Sequence, residues 1–342
     1  MASSLAQPQI KLITPGLIQS PSLSVVVVNY RSWDQTTRLI QQLREGQDDS
    51  ELIVVDNDST GADLEDVVLC RSEANLGFAR AVNAAWKQSR GRWLLLLNPD
   101  VSVAPAFLRQ VQNLTLHLEM TEPKVGIVGL AARNSDGSFQ PTAGPMPRFT
   151  STIARLLLPR SRRKYYLSRP SHRQNVDWVS GCALLVREEC LAQLGGVSTD
   201  YFLYYEDVDL CLRAQQSGWL VQHEPGINVT HHSPIASRSV SPTLRVFTRH
   251  ALMTFAWKYW STWQAKMICR LVQWEARARR WRADDSARAT FVRLEEIARL
   301  MKRNQPQSAR RILDALVESV SNRGGENRVD RLRGDFAQRS GR

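Results

Sequence analysis

Apolar runs of four to six residues, rich in β-branched side chains, recur through the first hundred positions and alternate with helix-like periodicity. Residues 23–28 read Leu-Ser-Val-Val-Val-Val, a strand apolar enough to be covered on both faces. Ser32-Trp33-Asp34-Gln35 then has the spacing of a capping box and predicts a helix running to about Arg44. Residues 52–55 and 67–70 repeat the strand pattern, 78–89 reads as a helix stopped by Gly91, and 93–97 is a second fully apolar strand. Strands and helices alternating at this length predict an α/β fold: a doubly wound, Rossmann-like, mainly parallel central sheet flanked by helices.

In such sheets ligands lie beyond the carboxyl ends of the strands. Asn29-Tyr30, Asp56-Asn57 and Asn98-Pro99-Asp100 all fall there, so three strand ends point polar groups one way. No Gly-x-Gly-x-x-Gly follows the first strand and no Gly-Lys-Ser/Thr loop occurs, which excludes the dinucleotide fingerprint and the phosphate loop of nucleotide hydrolases. A ligand is therefore expected to be held by side chains and a metal rather than by a glycine cradle.

Farther along, 125–130 reads as a strand, and Asn134-Ser135-Asp136-Gly137 as a turn opening a Pro- and Gly-rich loop that reaches Pro147. The sheet order is expected to change there. The charge run 160–164 reads as a solvated loop, with phosphate contact as the lesser alternative. Residues 177–187 carry Trp178-Val179-Ser180-Gly181 and an apolar strand, and an aromatic stretch leads into a helix over 206–216 that ends at Gly218. From about 245 to 282 five tryptophans interleave with Arg and Lys, and Trp260, Met267, Trp274 and Trp281 stand seven apart, the mark of an amphipathic helix. That stripe is expected to pack on the catalytic domain or a second subunit, or to meet a membrane surface; nucleic acid is not expected. One or two further helices should follow before a disordered end. The domain reading is a 1–22 extension, a 23–240 catalytic domain, a 241–321 helical extension and a 322–342 basic tail.

With 342 residues, 43% of them apolar, the chain can bury a large core in one or two domains. Its net charge is +12, and residues 270–342 carry 18 Lys or Arg against 10 Asp or Glu, so the basicity lies mainly in the tail. The five cysteines show no paired spacing and read as buried thiols of a reducing cytosol. The first twenty residues lack the basic start and apolar block of a signal peptide, and no apolar run approaches the roughly 20 residues needed to span a bilayer. The expected location is cytoplasmic, with any membrane contact peripheral and on the inner face of the plasma membrane.

The stretch Tyr205-Glu206-Asp207-Val208-Asp209 puts three carboxylates at the mouth of a predicted helix. Acids there answer the helix dipole, and they are also candidates for general-base work. Taken with the strand-end motifs, they resemble the inverting family 2 glycosyltransferases of GT-A fold, in particular the bacterial rhamnosyltransferase-like branch. The matching pieces are Val28-Asn29-Tyr30, Val55-Asp56-Asn57-x-Ser59, Asn75-x-Gly77-Phe78, Asn98-Pro99-Asp100, Trp178-x-x-Gly181, Phe202-x-Tyr204-Tyr205-Glu206-Asp207-Val208-Asp209 and His231, in family order.

The resemblance implies a nucleotide pocket of Asn29, Tyr30, Asp56, Asn57, Asn75, Gly77, Phe78, Arg80 and Asn98, with Asp56 accepting the N3–H of a uracil or thymine ring. It implies Mg2+ or Mn2+ held by Asp100 and His231, with His232 as the rival ligand. Asp207 would be the catalytic base, Trp178, Gly181 and Glu206 would meet the sugar or acceptor, and Asp209 would be structural. The family's commonest metal motif has two acids flanking one residue, and here Asn98 replaces the first. The implied function is inverting transfer of a sugar, L-rhamnose from its dTDP donor foremost, to a hydroxyl of a lipid-linked or cell-surface glycan. A catalytically silent scaffold that binds a dTDP- or UDP-sugar is the alternative. Expected partners are the donor, the acceptor, a membrane touched through residues 245–282, and a second copy of the chain.

Overall fold

The structure is a computed structural model that describes residues 10–13, 21–46, 49–57, 64–157, 170–232 and 240–321. Ser59, the charge run 160–164 and the last twenty residues lie outside the described set. The chain forms two compact units, residues 1–239 and 240–342.

The first unit is built on a mixed sheet whose strand order is Ile10–Ile13, Val68–Ser72, Glu51–Asn57, Leu23–Asn29, Trp93–Leu97, Ala183–Arg187, Val125–Arg133, Leu220–His231, Gln174–Asn175. Val68–Ser72 through Trp93–Leu97 run parallel, as the apolar runs predict. Every residue of Glu51–Asn57 and Trp93–Leu97 is buried, because helices cover both faces. Along each strand alternate residues enter one core: Val25, Val27, Val54, Leu95 and Leu97 meet Leu39, Ile40 and Leu43 of the helix Trp33–Glu45 and Phe107, Val111, Leu114 and Leu118 of the helix Phe107–Thr121. The other face of these strands carries Val26, Ile53, Val55, Leu94 and Leu96, all buried.

The sheet departs from parallel where the loop beyond residue 134 was expected to change its order. Ala183–Arg187 inserts between Trp93–Leu97 and Val125–Arg133 and runs antiparallel to both. Leu220–His231 then returns parallel to Val125–Arg133. Two local expectations are corrected. Ser32 starts its helix without a side-chain cap, its hydroxyl being turned toward Asn29 Oδ1, 3.0 Å away. The helix from Phe78 stops at Trp86, and Gly91 serves a different purpose from ending it: a Cβ there would lie 2.5 Å from the Ser24 nitrogen.

The second unit comprises the helices Pro242–Tyr259, Thr262–Arg282 and Asp285–Lys302 and a fourth over 306–321. Its core joins Met253, Phe255, Ile268, Val272, Leu294, Ile297 and Leu313. Glu275 gathers Arg245, Arg249 and Arg279. Burial alone would raise its carboxyl, but Arg249 and Arg279 hold it down at about 2. The seven-residue stripe does not run along one helix, since Trp260 ends the helix before it and packs edge-on against Phe255. All five cysteines are buried and free. Among the described residues no helix is long and apolar enough to cross a membrane.

Candidate active site

The carboxyl edge of the parallel strands carries a hydrogen-bond network that engages one of the two Asp56 carboxylate oxygens and leaves the buried Oδ2 outside it. Asn29 and Asp56 are in-register partners on adjacent strands, and Asn29 Nδ2 donates to Asp56 Oδ1 at 2.9 Å. Asn29 Oδ1 accepts from the Ser32 amide and from the Ser32 and Thr36 hydroxyls. Both residues are fully buried, so the amide fixes the direction of the carboxylate. Tyr30 lies half-buried beside this pair with the Arg31 guanidinium 5.2 Å over its ring.

Asn57 does something the sequence did not suggest. Its Oδ1 accepts from the Leu76 amide at 2.8 Å, and its Nδ2 donates to Asn75 Oδ1 and the Gly77 carbonyl. Its whole amide is thus engaged by the loop 75–77. Gly77 has φ 79°, and a Cβ there would lie 2.6 Å from the Phe202 carbonyl, which also accepts from the Phe78 amide. The close backbone approach that this glycine permits is made by the Phe202 turn. On the same helix Asn83 exchanges two hydrogen bonds with Val197, while Arg80 points into solvent.

The carboxylate stretch is presented by a backbone that sequence propensity does not favour. Tyr204 and Tyr205 both hold positive φ, 72° and 68°, and so turn the chain sharply into the helix Glu206–Gln216. Asp207 stands in its first turn, where Oδ1 accepts from the Val208 amide at 2.8 Å and Oδ2 from the Gly181 amide at 3.1 Å. Burial raises its carboxyl above the usual range, and these amides offset part of the rise. Glu206 is raised well above the usual glutamate range, by burial first and then by the Asp207 charge. Its Oε2 is buried without a hydrogen-bond partner among the described residues. Asp209 is held by Tyr201 Oη and by Arg213 at 2.6 Å, which makes it structural.

Asp100 and His231 meet through a two-residue ladder in which His231 pairs with Val101. His231 Nε2 lies 3.2 Å from Asp100 Oδ1, and Gln140 Nε2 lies 2.9 Å from His231 Nδ1. The two histidines differ in what they face: His231 turns to the Asp100 carboxylate, whereas both ring nitrogens of His232 are taken by the hydroxyls of Ser102 and Ser135. Among the described residues no group of three His, Cys, Asp or Glu side chains converges as a complete protein metal site. One carboxylate oxygen and one imidazole suit a hard divalent cation whose remaining positions are filled by phosphate oxygens and water.

The segment 180–182 joins the two carboxylate sites. Gly181 donates to Asp207, and the next residue, Cys182, accepts from the Asn98 amide at 3.0 Å, two residues before Asp100. Burial pushes the Cys182 thiol up to about 12, the Ser180 hydroxyl offsets part of this, and the charges of Asp100 and Asp207 both add to it. Gly181 also faces the Phe78 ring, placing the loop anchored by Asn57 beside Asp207. The Trp178 ring lies over Gly144 and its indole N–H donates to the Pro145 carbonyl. Gln140 and Cys182 carry no motif signal in the sequence, since each matters through partners distant along the chain.

An Asn–Asp pair at adjacent strand ends, a facing Asp–His pair and a half-buried carboxylate at a helix start are the arrangement expected of a sugar-transferring enzyme of GT-A architecture. The profile of Glycosyl transferase family 2 matches residues 24–189. N-acetylglucosaminyl-diphospho-decaprenol L-rhamnosyltransferase of Mycobacterium tuberculosis is 32% identical over 237 residues, 61% of this chain and 76% of that protein. Rhamnosyltransferase WbbL of Escherichia coli is 22% identical over 249 residues, 68% of this chain and 90% of the other. Among solved structures, mannosyltransferase PcManGT from Pyrobaculum calidifontis, in complex with GDP-Man and Mn2+, aligns with a TM-score of 0.45 at 16% identity over 88% of each chain. The chain belongs to glycosyl transferase family 2 and resembles its rhamnosyltransferases.

Proposed function

We propose that this protein is an inverting, cation-assisted rhamnosyltransferase that moves L-rhamnose from dTDP-L-rhamnose to a hydroxyl of a lipid-linked or cell-surface glycan. The observation that carries the reading is the strap 180–182, which binds the Asp207 carboxylate at one residue and the Asn98 backbone, just before Asp100, at the next. The donor sugar and the lipid diphosphate acceptor are favoured by the Mycobacterium relative, whose name specifies both chemistries for that protein.

Asp56, aimed by Asn29, is assigned the N3–H of the pyrimidine. Asn57, whose amide is spent on the loop 75–77, acts as a positioning residue for that pocket. Asp100 and His231 hold Mg2+ or Mn2+, and the bound cation supplies neutralisation of charge on the departing diphosphate. Asp207 takes the proton of the acceptor hydroxyl as that oxygen attacks the anomeric carbon. The anomeric C–O bond breaks on the opposite face and its electron pair leaves with the diphosphate. Inversion follows because the acceptor oxygen and the leaving diphosphate stand on opposite faces of the anomeric carbon in a single displacement. Burial raises the proton affinity of Asp207 and so makes it a stronger base.

Purified protein assayed with Mn2+ against dTDP-L-rhamnose, UDP-N-acetylglucosamine and GDP-mannose should be thermally stabilised most by the first, and should release dTDP when a polyprenyl-diphosphate-linked sugar is added. Equal stabilisation by the guanosine nucleotide would remove Asp56 as the pyrimidine reader. Absence of dTDP release with every acceptor would favour the non-catalytic scaffold.

A further inference from the structure

The helix Thr262–Arg282 carries two faces with different fates. Ala265, Ile268, Cys269, Val272 and Ala276 recur at helical spacing and are buried in the four-helix unit. On the opposite side Trp263, Trp274 and Trp281 are 60%, 70% and 91% exposed. One exposed tryptophan is ordinary, but three aligned over about 27 Å of one helix face form a continuous aromatic strip.

We propose that this strip docks on an anionic lipid surface, with the helix lying in the plane of the headgroups. Charge supports that occupant. Lys266, Arg270 and Arg282 flank the tryptophans and are exposed, and none takes part in the ion pairs that bind Arg277 and Arg280 to Glu295 or Arg249 and Arg279 to Glu275. The helix has a single acid, Glu275, already neutralised by its arginines. Tryptophan rings suit headgroup depth, and long cationic side chains reach from there to lipid phosphates. The helix is not apolar enough to cross a bilayer, so it lies on one. A second copy of the same face is disfavoured, because pairing would bring two rows of like charge together.

The test is vesicle flotation of the full chain on phosphatidylcholine alone and on phosphatidylcholine mixed with phosphatidylglycerol. The chain should favour the anionic vesicles by about a hundredfold, the scale for three cations at a charged surface, and lose that preference as salt rises. Its tryptophan emission should shift to the blue on binding. Trp263→Ser/Trp274→Ser/Trp281→Ser should abolish flotation, and Lys266→Glu/Arg270→Glu/Arg282→Glu should reduce it to the phosphatidylcholine level. The charge variant removes no apolar contact, so it remains informative even if the tryptophan variant folds poorly. Failure of the wild-type chain to float on either vesicle, or unchanged flotation of the charge variant, overturns the proposal. A concentration-dependent dimer or a duplex DNA complex that depends on these tryptophans, without flotation, assigns the face to those partners instead and overturns it too. None of these outcomes bears on sugar transfer.

Discussion

The two halves of the sheet treat their polar groups differently. At the carboxyl edge of the parallel half, Asn29, Asp56 and Asn57 are knit to one another and to Ser32, Thr36 and the loop 75–77. The network holds Asp56 Oδ1 and leaves the buried Oδ2 outside it, whereas beside the antiparallel half Asp207 is half-buried and Glu206 buried, both with raised proton affinity, and Glu206 Oε2 and Gln140 Oε1 have no hydrogen-bond partner among the described residues. Hydrogen-bonded networks hold a shape, whereas buried groups whose charge is disfavoured are available for proton chemistry and ligand binding. On the proposed function the first half shapes the nucleotide pocket and the second carries the reaction chemistry.

The largest effect that could break this division is at Asp207. Asp207→Asn keeps a similar shape but removes the proton acceptor, so transfer should fall by about a thousandfold while donor binding stays within a fewfold of wild type. Transfer by the wild-type enzyme should also fall as pH drops, with a midpoint above the usual aspartate value of about 3.9, because burial raises the pKa and protonation removes the base. A variant with wild-type turnover would move the base elsewhere. Next in size is Asn29→Ala, which strips the buried Asp56 carboxylate of its donor and should destabilise the first unit by about 3 kcal/mol. Denaturant unfolding measures this, and an unchanged midpoint would show that the network is not what shapes the pocket.

Much of the parallel half was legible in the sequence because its signal is local. A strand covered on both faces must be apolar throughout, and residues 23–28 and 93–97 say so without reference to anything distant. Ala183–Arg187 reads as a strand for the same reason, but its antiparallel insertion depends on pairings with residues about 60 and 90 positions away, which no local pattern records. Asp100, Asp207 and His231 were reached through the resemblance. What no local pattern carries is how Asn57 and Trp178 are held, Asn57 by the loop 75–77 and Trp178 by the Pro145 carbonyl. Ser32 is a case at short range, its hydroxyl being turned toward Asn29 Oδ1 rather than over the helix amides.

The cation pair sharpens the comparison at intermediate size. Asp100→Ala should weaken Mn2+ binding in the presence of dTDP by about a hundredfold, read by the loss of free-Mn2+ signal in electron paramagnetic resonance. Gln140 acts behind it. Turning its side-chain amide over would let the buried Oε1 accept an Nδ1 proton from His231, leaving the Nε2 lone pair toward Asp100 for a cation. Gln140→Ala should then cost about tenfold in Mn2+ affinity, and Gln140→Glu should restore it. Equal Mn2+ affinity in all three proteins would remove Asp100 and His231 as the cation site.

The smallest effect is at Glu206, and its sign is opposite. Because burial raises its folded pKa, the native state binds this proton more tightly than the unfolded chain does, so stability falls as pH rises from about 4.3 toward the folded value. Above that window the protein carries the full penalty of a charged, buried carboxylate beside Asp207. Glu206→Gln removes the charge at similar size and should raise the melting temperature at neutral or alkaline pH by a few degrees. The gain should vanish as the pH falls well below about 4.3, where the wild-type carboxyl is neutral in both states. A loss of stability at neutral pH would mean that Glu206 is held as a charged hydrogen-bond acceptor, and the contrast in proton affinity between the two halves would fail at this residue.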